Sequence, residues 1–143
     1  MTLRGDVLLV DDNPVNLRLL SEILKPAGLT VRAATSGGRA LEAARAQVPD
    51  LVLLDIELPD LSGFEVCEAL CADPKTRGLR VIFVSAHDSL LGRSRGFRAG
   101  GVDYLTKPYE AAEVLARVAT QLDIALLTRE NEALRAEIAR VRA

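Results

Sequence analysis

Short β-like runs, the most apolar of them Leu51–Leu54, alternate along the chain with longer stretches in which apolar residues recur every three or four positions. Of these runs Leu51–Leu54 is too short for a helix and too apolar for a strand with one wet face, so it reads as a strand buried on both sides, and the others read as its neighbours in a sheet. Five are predicted, at Asp6–Val10, Thr30–Ala34, Leu51–Leu54, Arg80–Val84 and Val102–Leu105. Helical spacing fills the intervals, at about Pro14–Lys25, Gly38–Gln47, Ser62–Ala72 and Ser89–Ala99, with Gly28, Gly37, Gly78, Gly100 and Gly101 marking the ends. Asn13 followed by Pro14 is a helix start, since the amide side chain caps and the missing proline N–H costs nothing at the first helical position. Leu17, Leu20, Ile23 and Leu24 then form the stripe that covers the sheet. This order of strand and helix predicts an α/β fold: a doubly wound, five-stranded parallel sheet with helices on both faces.

The pattern changes at Glu110. From there to Ala143 there is no Gly or Pro, and Ala, Leu, Glu and Arg dominate. One helix of about 51 Å is expected at 1.5 Å per residue. Only its first half is needed to cover the sheet, so the chain divides into a domain over 1–122 and a helical extension over 123–143. In the extension Ile124, Asn131 and Ile138 are seven apart, and Leu127, Leu134 and Val141 follow each by three. Taken as a and d positions of a heptad they form a seam, with Glu130 and Glu137 at g and Arg135 and Arg142 at the following e. Apolar seam, one polar Asn and matched charges agree on a parallel two-stranded coil, hence a homodimer. The competing reading is an amphipathic helix lying back on its own domain.

Charge and composition narrow the function. A net charge of -2 and a pI near 5.5 give no basic footprint for a phosphate backbone, so no direct nucleic-acid partner is expected. No apolar run approaches the roughly 20 residues of a membrane span, and the first residues enter a strand without the succession of a signal peptide. A cytoplasmic protein is expected. Cys67 and Cys71, four apart on one helix, lack the partners of a zinc site and read as small core residues. His87 is the single histidine, which leaves no ready Ser-His-Asp triad or histidine metal site.

The chemistry collects where strands end. Asp11 and Asp12 follow the first strand, Asp55 the third, Ser85 the fourth, and Lys107 lies just beyond the fifth. A doubly wound sheet sets its first and third strands side by side at the switch point, where such folds bind ligands. Three carboxylates in one crevice repel unless a cation joins them, and an all-oxygen set suits Mg²⁺. Lys107 precedes Pro108, and a cis bond there is expected to turn the lysine into the crevice. A carboxylate nucleophile, a hard cation, an ammonium and a hydroxyl together suit an aspartyl-phosphate.

As a set, VLLVDDNPVN, LVLLDIELPDLSGFEV, VIFVSA and GVDYLTKPY resemble the receiver domains of two-component response regulators, over roughly Asp6 to Leu122. The resemblance implies a flavodoxin-like sheet of strand order 2-1-3-4-5. It also implies that Asp55 accepts a phosphoryl group from a histidine kinase or phosphotransfer protein. Mg²⁺ would be held by Asp12 and Asp55, by Asp11 through water, and by the backbone carbonyl of Glu57. Lys107 and Ser85 would hold the phosphoryl, Ser85 and Tyr104 would switch, and the side chains of Glu57 and His87 would tune dephosphorylation. Such a domain is no enzyme beyond its own phosphorylation and dephosphorylation. An effector domain beyond Ala143, or a separate partner, would receive the signal. Two rival functions stand beside this one: a dimerisation module indifferent to phosphorylation, and a phosphatase working through an aspartyl-phosphate. The phosphatase is disfavoured because Glu57 stands where such enzymes carry a second Asp.

Overall fold

The computed structural model describes residues 2–142. Met1 and Ala143, the last residue of the expected extension, lie outside the described residues. The strands are β1 (Asp6–Val10), β2 (Thr30–Ala34), β3 (Leu51–Asp55), β4 (Arg80–Ser85) and β5 (Asp103–Thr106). All neighbours are parallel, in the order β2-β1-β3-β4-β5, the flavodoxin-like arrangement the sequence implies. The helices are α1 (Pro14–Leu24), α2 (Gly37–Ala46), α3 (Gly63–Ala72), α4 (Leu90–Ala99) and α5 (Ala111–Arg142).

The apolar strands work because both faces are covered. Val7, Leu9, Leu51, Leu53, Ile82 and Val84 point to one side and pack with Leu20 and Leu24 of α1 and Val114, Val118 and Leu122 of α5. Their alternates Leu8, Val10, Val52, Leu54, Val81 and Phe83 point to the other and meet α2, α3 and α4. This two-residue alternation inside continuous apolar runs is what a sheet between two helical layers requires. Leu17 and Ile23, the outer members of the α1 stripe, are partly buried against the same core. Cys67 is fully buried and Cys71 half-buried, both free. Burial and the neighbouring Cys71 push the Cys67 thiol up to about 12, which makes it an inert core residue.

Element ends differ from the expected ones by a residue or so, for local reasons. Asp55 and Ser85 belong to their strands because Asp55 still pairs with Val84 and Ser85 with Thr106. Strand β5 is displaced one residue along the chain, to Asp103–Thr106. Side-chain caps fix four helix starts: Asn13, Ser36, Ser62 and Ser89 accept the N–H groups of Val15, Arg39, Glu65 and Gly92. Helix α1 gives way to a 3₁₀ turn over Lys25–Ala27, where Pro26 has no N–H to continue the ladder. Gly28, at φ 107°, then reverses the chain, a conformation open to glycine and strained for other residues.

Candidate functional site

Strands β1 and β3 are adjacent, and their carboxyl ends bring the expected acids together. Asp11, Asp12 and Asp55 each offer a carboxylate oxygen, all lying within 4.8 Å of one another. Asp11 and Asp55 are buried and Asp12 is exposed. Two short loops aim the buried pair: Asp11 Oδ1 accepts the N–H of Asn13 at 2.9 Å, and Asp55 Oδ1 accepts that of Glu57 at 3.1 Å. The β3–α3 loop closes immediately behind Asp55, with Gly63 N–H donating to the Ile56 carbonyl at 2.7 Å. A side chain at Gly63 would collide with the carbonyl oxygen of Asp55, so glycine is required there.

Lys107 enters from the far side. The Lys107–Pro108 bond is cis, as the sequence reading expected, and the Lys107 N–H donates to the Ser85 carbonyl at 2.7 Å. Its Nζ reaches Asp11 Oδ2 and Asp55 Oδ2, each at 3.4 Å. The lysine is therefore the one cation already between the two buried acids among the described residues.

Burial raises the proton affinity of Asp55 above the ordinary carboxylate value. The Glu57 N–H and the Lys107 charge oppose that rise, and the neighbouring Asp11 adds to it. A desolvated acid beside another acid is short of positive charge. The three oxygens fit a hard divalent cation that keeps several waters, so the donor set suits Mg²⁺.

Ser85, the last residue of β4, is 4% exposed, and its Oγ accepts the N–H of His87 at 3.0 Å. Tyr104 is turned inward, 2% exposed, with its hydroxyl donating to the His87 carbonyl at 2.9 Å. The ring has room because Gly92 and Gly96 line the near side of α4. The Arg93 guanidinium lies over it, 4.9 Å from the centroid, while donating to Asp88 at 2.7 Å and Thr106 at 3.2 Å. Glu57 and His87 have exposed side chains that meet, with His87 Nε2 3.2 Å from Glu57 Oε1. The residues of the expected dimer seam stand apart from this site. Ile124, Leu127, Asn131, Leu134, Ile138 and Val141 are exposed along the second half of α5.

Three neighbours of the site were not singled out from the sequence. Tyr109 is half-buried, and burial together with the charges of Asp11 and Asp55 raises its phenol above the ordinary value. Its position directly after Lys107 and Pro108 was the available signal. Asp60 accepts the N–H groups of Gly37 and Gly38 at 2.8 and 2.9 Å, joining the loop behind Asp55 to the start of α2. Arg93 is the third. Neither Asp60 nor Arg93 has a local signature, because each acts on an element distant in sequence.

A profile of the response regulator receiver domain matches residues 7–119. The chain is 42% identical over 112 residues to TcrX of Mycobacterium tuberculosis, covering 78% of this chain and 47% of TcrX. It is 37% identical over 112 residues to protein PilH of Pseudomonas aeruginosa, covering 78% of this chain and 93% of PilH. The chain thus spans about half the length of TcrX and nearly all of PilH. Among solved structures, the CheY-like response regulator receiver domain protein of Methanospirillum hungatei superposes with a TM-score of 0.81 at 28% identity, over 88% of this chain and 99% of that one. With the acidic crevice, the bridging lysine and the strand order already described, these matches make the chain a member of the response regulator receiver domain family of two-component signalling.

Proposed function

We propose that Asp55 is the phosphoacceptor of a signalling switch, loaded by a histidine kinase or phosphotransfer protein in the cytoplasm. A coil formed by two copies of α5 then relays the state to an effector domain or partner. One observation carries the chemical part: three carboxylate oxygens within 4.8 Å, with an ammonium 3.4 Å from the two that are buried. Asp55 attacks the phosphorus of a phosphohistidine, an O–P bond forms as the N–P bond breaks, and the electron pair leaves with the imidazole. Asp11, Asp12 and Asp55 would hold Mg²⁺, with the Glu57 backbone carbonyl as a further ligand. Bound there, it supplies neutralisation of charge on the transferring phosphoryl.

Lys107 is within reach of the same oxygens and takes a phosphoryl oxygen once Asp55 is esterified. Ser85 gives up its contact with the His87 N–H and donates its hydroxyl proton to another. The modification adds close to two negative charges in a buried crevice, and the domain responds by the difference in contacts that charge makes in its two states. Tyr104, whose hydroxyl is bonded to the backbone next to Ser85, reports that difference to α4. Glu57 and His87, meeting at the exposed rim, set how easily water reaches the acyl phosphate. The protein turns over no separate substrate.

The test is direct. Treated with acetyl phosphate and Mg²⁺, the protein should gain one phosphoryl group that alkali or hydroxylamine removes and that Asp55→Asn lacks, read by intact-mass spectrometry. Beryllofluoride with Mg²⁺ should shift the amide resonances around Ser85 and Tyr104 in the parent alone. An unmodified parent, or equal responses in parent and variant, would overturn the proposal and leave a dimerisation module.

A further inference from the structure

Contacts between α5 and the sheet do not stop at Leu122. At the edge opposite the acidic crevice, Gln121 Oε1 accepts Arg80 Nε at 2.6 Å, and the buried Leu122 lies against Gly5. Two turns further on, Arg129 is ion-paired to Asp50. Asp50 is not an ordinary surface acid. Its side chain is 13% exposed, its Oδ2 accepts the Asp6 N–H at 2.7 Å, and its own N–H donates to the Asp6 carbonyl at 2.8 Å. It is thus fixed to the start of β1 and sits one residue before β3, the strand whose other end is Asp55.

Arg129 falls at an f position when Ile124 is a and Leu127 is d. At 3.6 residues per turn, the docked positions Val118, Gln121, Leu122 and Arg129 gather on one side of the helix. Ile124, Leu127 and Asn131 lie roughly 150° round from them. Upstream, the same a and d track runs through Arg117, held by Asp103 at 2.7 Å, and Thr120, so an apolar pairing begins at Ile124. That is the stretch between the last buried contact and the ion pair. The occupant that fits this track is another copy of the chain, because Glu130 and Glu137 of one copy then face Arg135 and Arg142 of the other.

We infer that the Asp50–Arg129 pair sets the direction in which the seam faces, and so the surface a second copy meets; the inference rests on the coil reading above. The pair extends the hold of the domain on α5 by about 10 Å beyond Leu122. The first seam turn is then carried by the sheet's lower edge rather than by a free helix end.

Two measurements test this. In a background whose seam is removed by Leu134→Glu and Ile138→Glu, amide hydrogen exchange over 123–130 reports the attachment without the coil. Arg129→Ala or Asp50→Asn should speed it roughly threefold, the scale of a partly exposed ion pair, and Arg129→Lys should recover most of the protection. Unchanged exchange, or equal loss in Arg129→Lys and Arg129→Ala, would overturn the inference. In the seam-intact protein, with Cys67→Ala and Cys71→Ala, disulfide dimers through Ile124→Cys should form severalfold more slowly once Arg129 is replaced by Ala. Those through Leu134→Cys should keep their rate, and equal effects at both sites would also overturn it. If neither cysteine links in any variant while the exchange pattern holds, the coil reading fails and the attachment stands.

Discussion

Asp55 has a cost when it has no cation beyond Lys107. Burial disfavours its charged form, and Asp11 beside it adds repulsion that a single ammonium at 3.4 Å shares between two acids. Removing that charge while keeping the shape should stabilise the metal-free protein. Asp55→Asn is expected to unfold about 3 °C higher than the parent at neutral pH in the presence of a chelator. Mg²⁺ should reverse the order, stabilising the parent by about 1.4 kcal/mol at ten times its dissociation constant and the variant by much less. Differential scanning calorimetry with and without the ion checks both, and an Asn variant that gains as much from Mg²⁺ as the parent would remove Asp55 from the ligand set. The acids were legible in the sequence because each follows a run of strand residues, and strand ends of a doubly wound sheet converge. Tyr109 was less legible. An aromatic after Lys107 and Pro108 reads equally as a packing residue of the next helix, and its burial beside Asp11 and Asp55 depends on how that turn folds back.

Asp60 shows the same division one level up, where elements meet. The strands and helices were readable from periodicity, which depends on residues next to one another. What holds the β3–α3 loop against α2 is a pair of hydrogen bonds between residues more than twenty apart, and periodicity carries no trace of them. The Gly38 and Gly37 N–H groups hold the Asp60 carboxyl below the usual carboxylate range. The unfolded chain therefore takes up a proton more readily than the folded one. The stabilisation is complete above the ordinary value of about 3.9 and is lost as pH falls through the lower folded value. Asp60→Ala should lower the unfolding temperature at pH 7, and the deficit should narrow as both proteins are acidified toward pH 3. A deficit that stays constant across that range would mean that the carboxylate charge plays no part and that the loop is held by packing alone. Because this loop also carries the backbone behind Asp55, the variant should bind Mg²⁺ more weakly as well.

Over the whole molecule, the acidic crevice opens at the carboxyl edge of the sheet and α5 leaves from the amino edge, so the crevice and the second half of α5 do not touch. Five large apolar side chains remain exposed on that helix: Ile124 at 38%, Leu127 at 63%, Leu134 at 59%, Ile138 at 42% and Val141 at 75%. On the coil reading proposed above that stripe is the association surface, and its spacing is visible in the sequence because a heptad is a local pattern. Among the described residues no helix is long and apolar enough to cross a membrane. Placing a charge at Ile138 or Leu134 buries it in the seam of any pair, at a cost that a coil of under three heptads has little surplus to offset. Ile138→Asp and Leu134→Asp should therefore sediment as monomers at concentrations where the parent is dimeric. Asn131→Leu should tighten the pair while loosening its preference for two strands in one register. The same monomeric variants should take up phosphoryl from acetyl phosphate at the parent rate, because no seam residue is part of the crevice. A parallel loss of dimer and of labelling would mean instead that the second copy completes the site, and the separation of the two ends into receiver and relay would have to be given up.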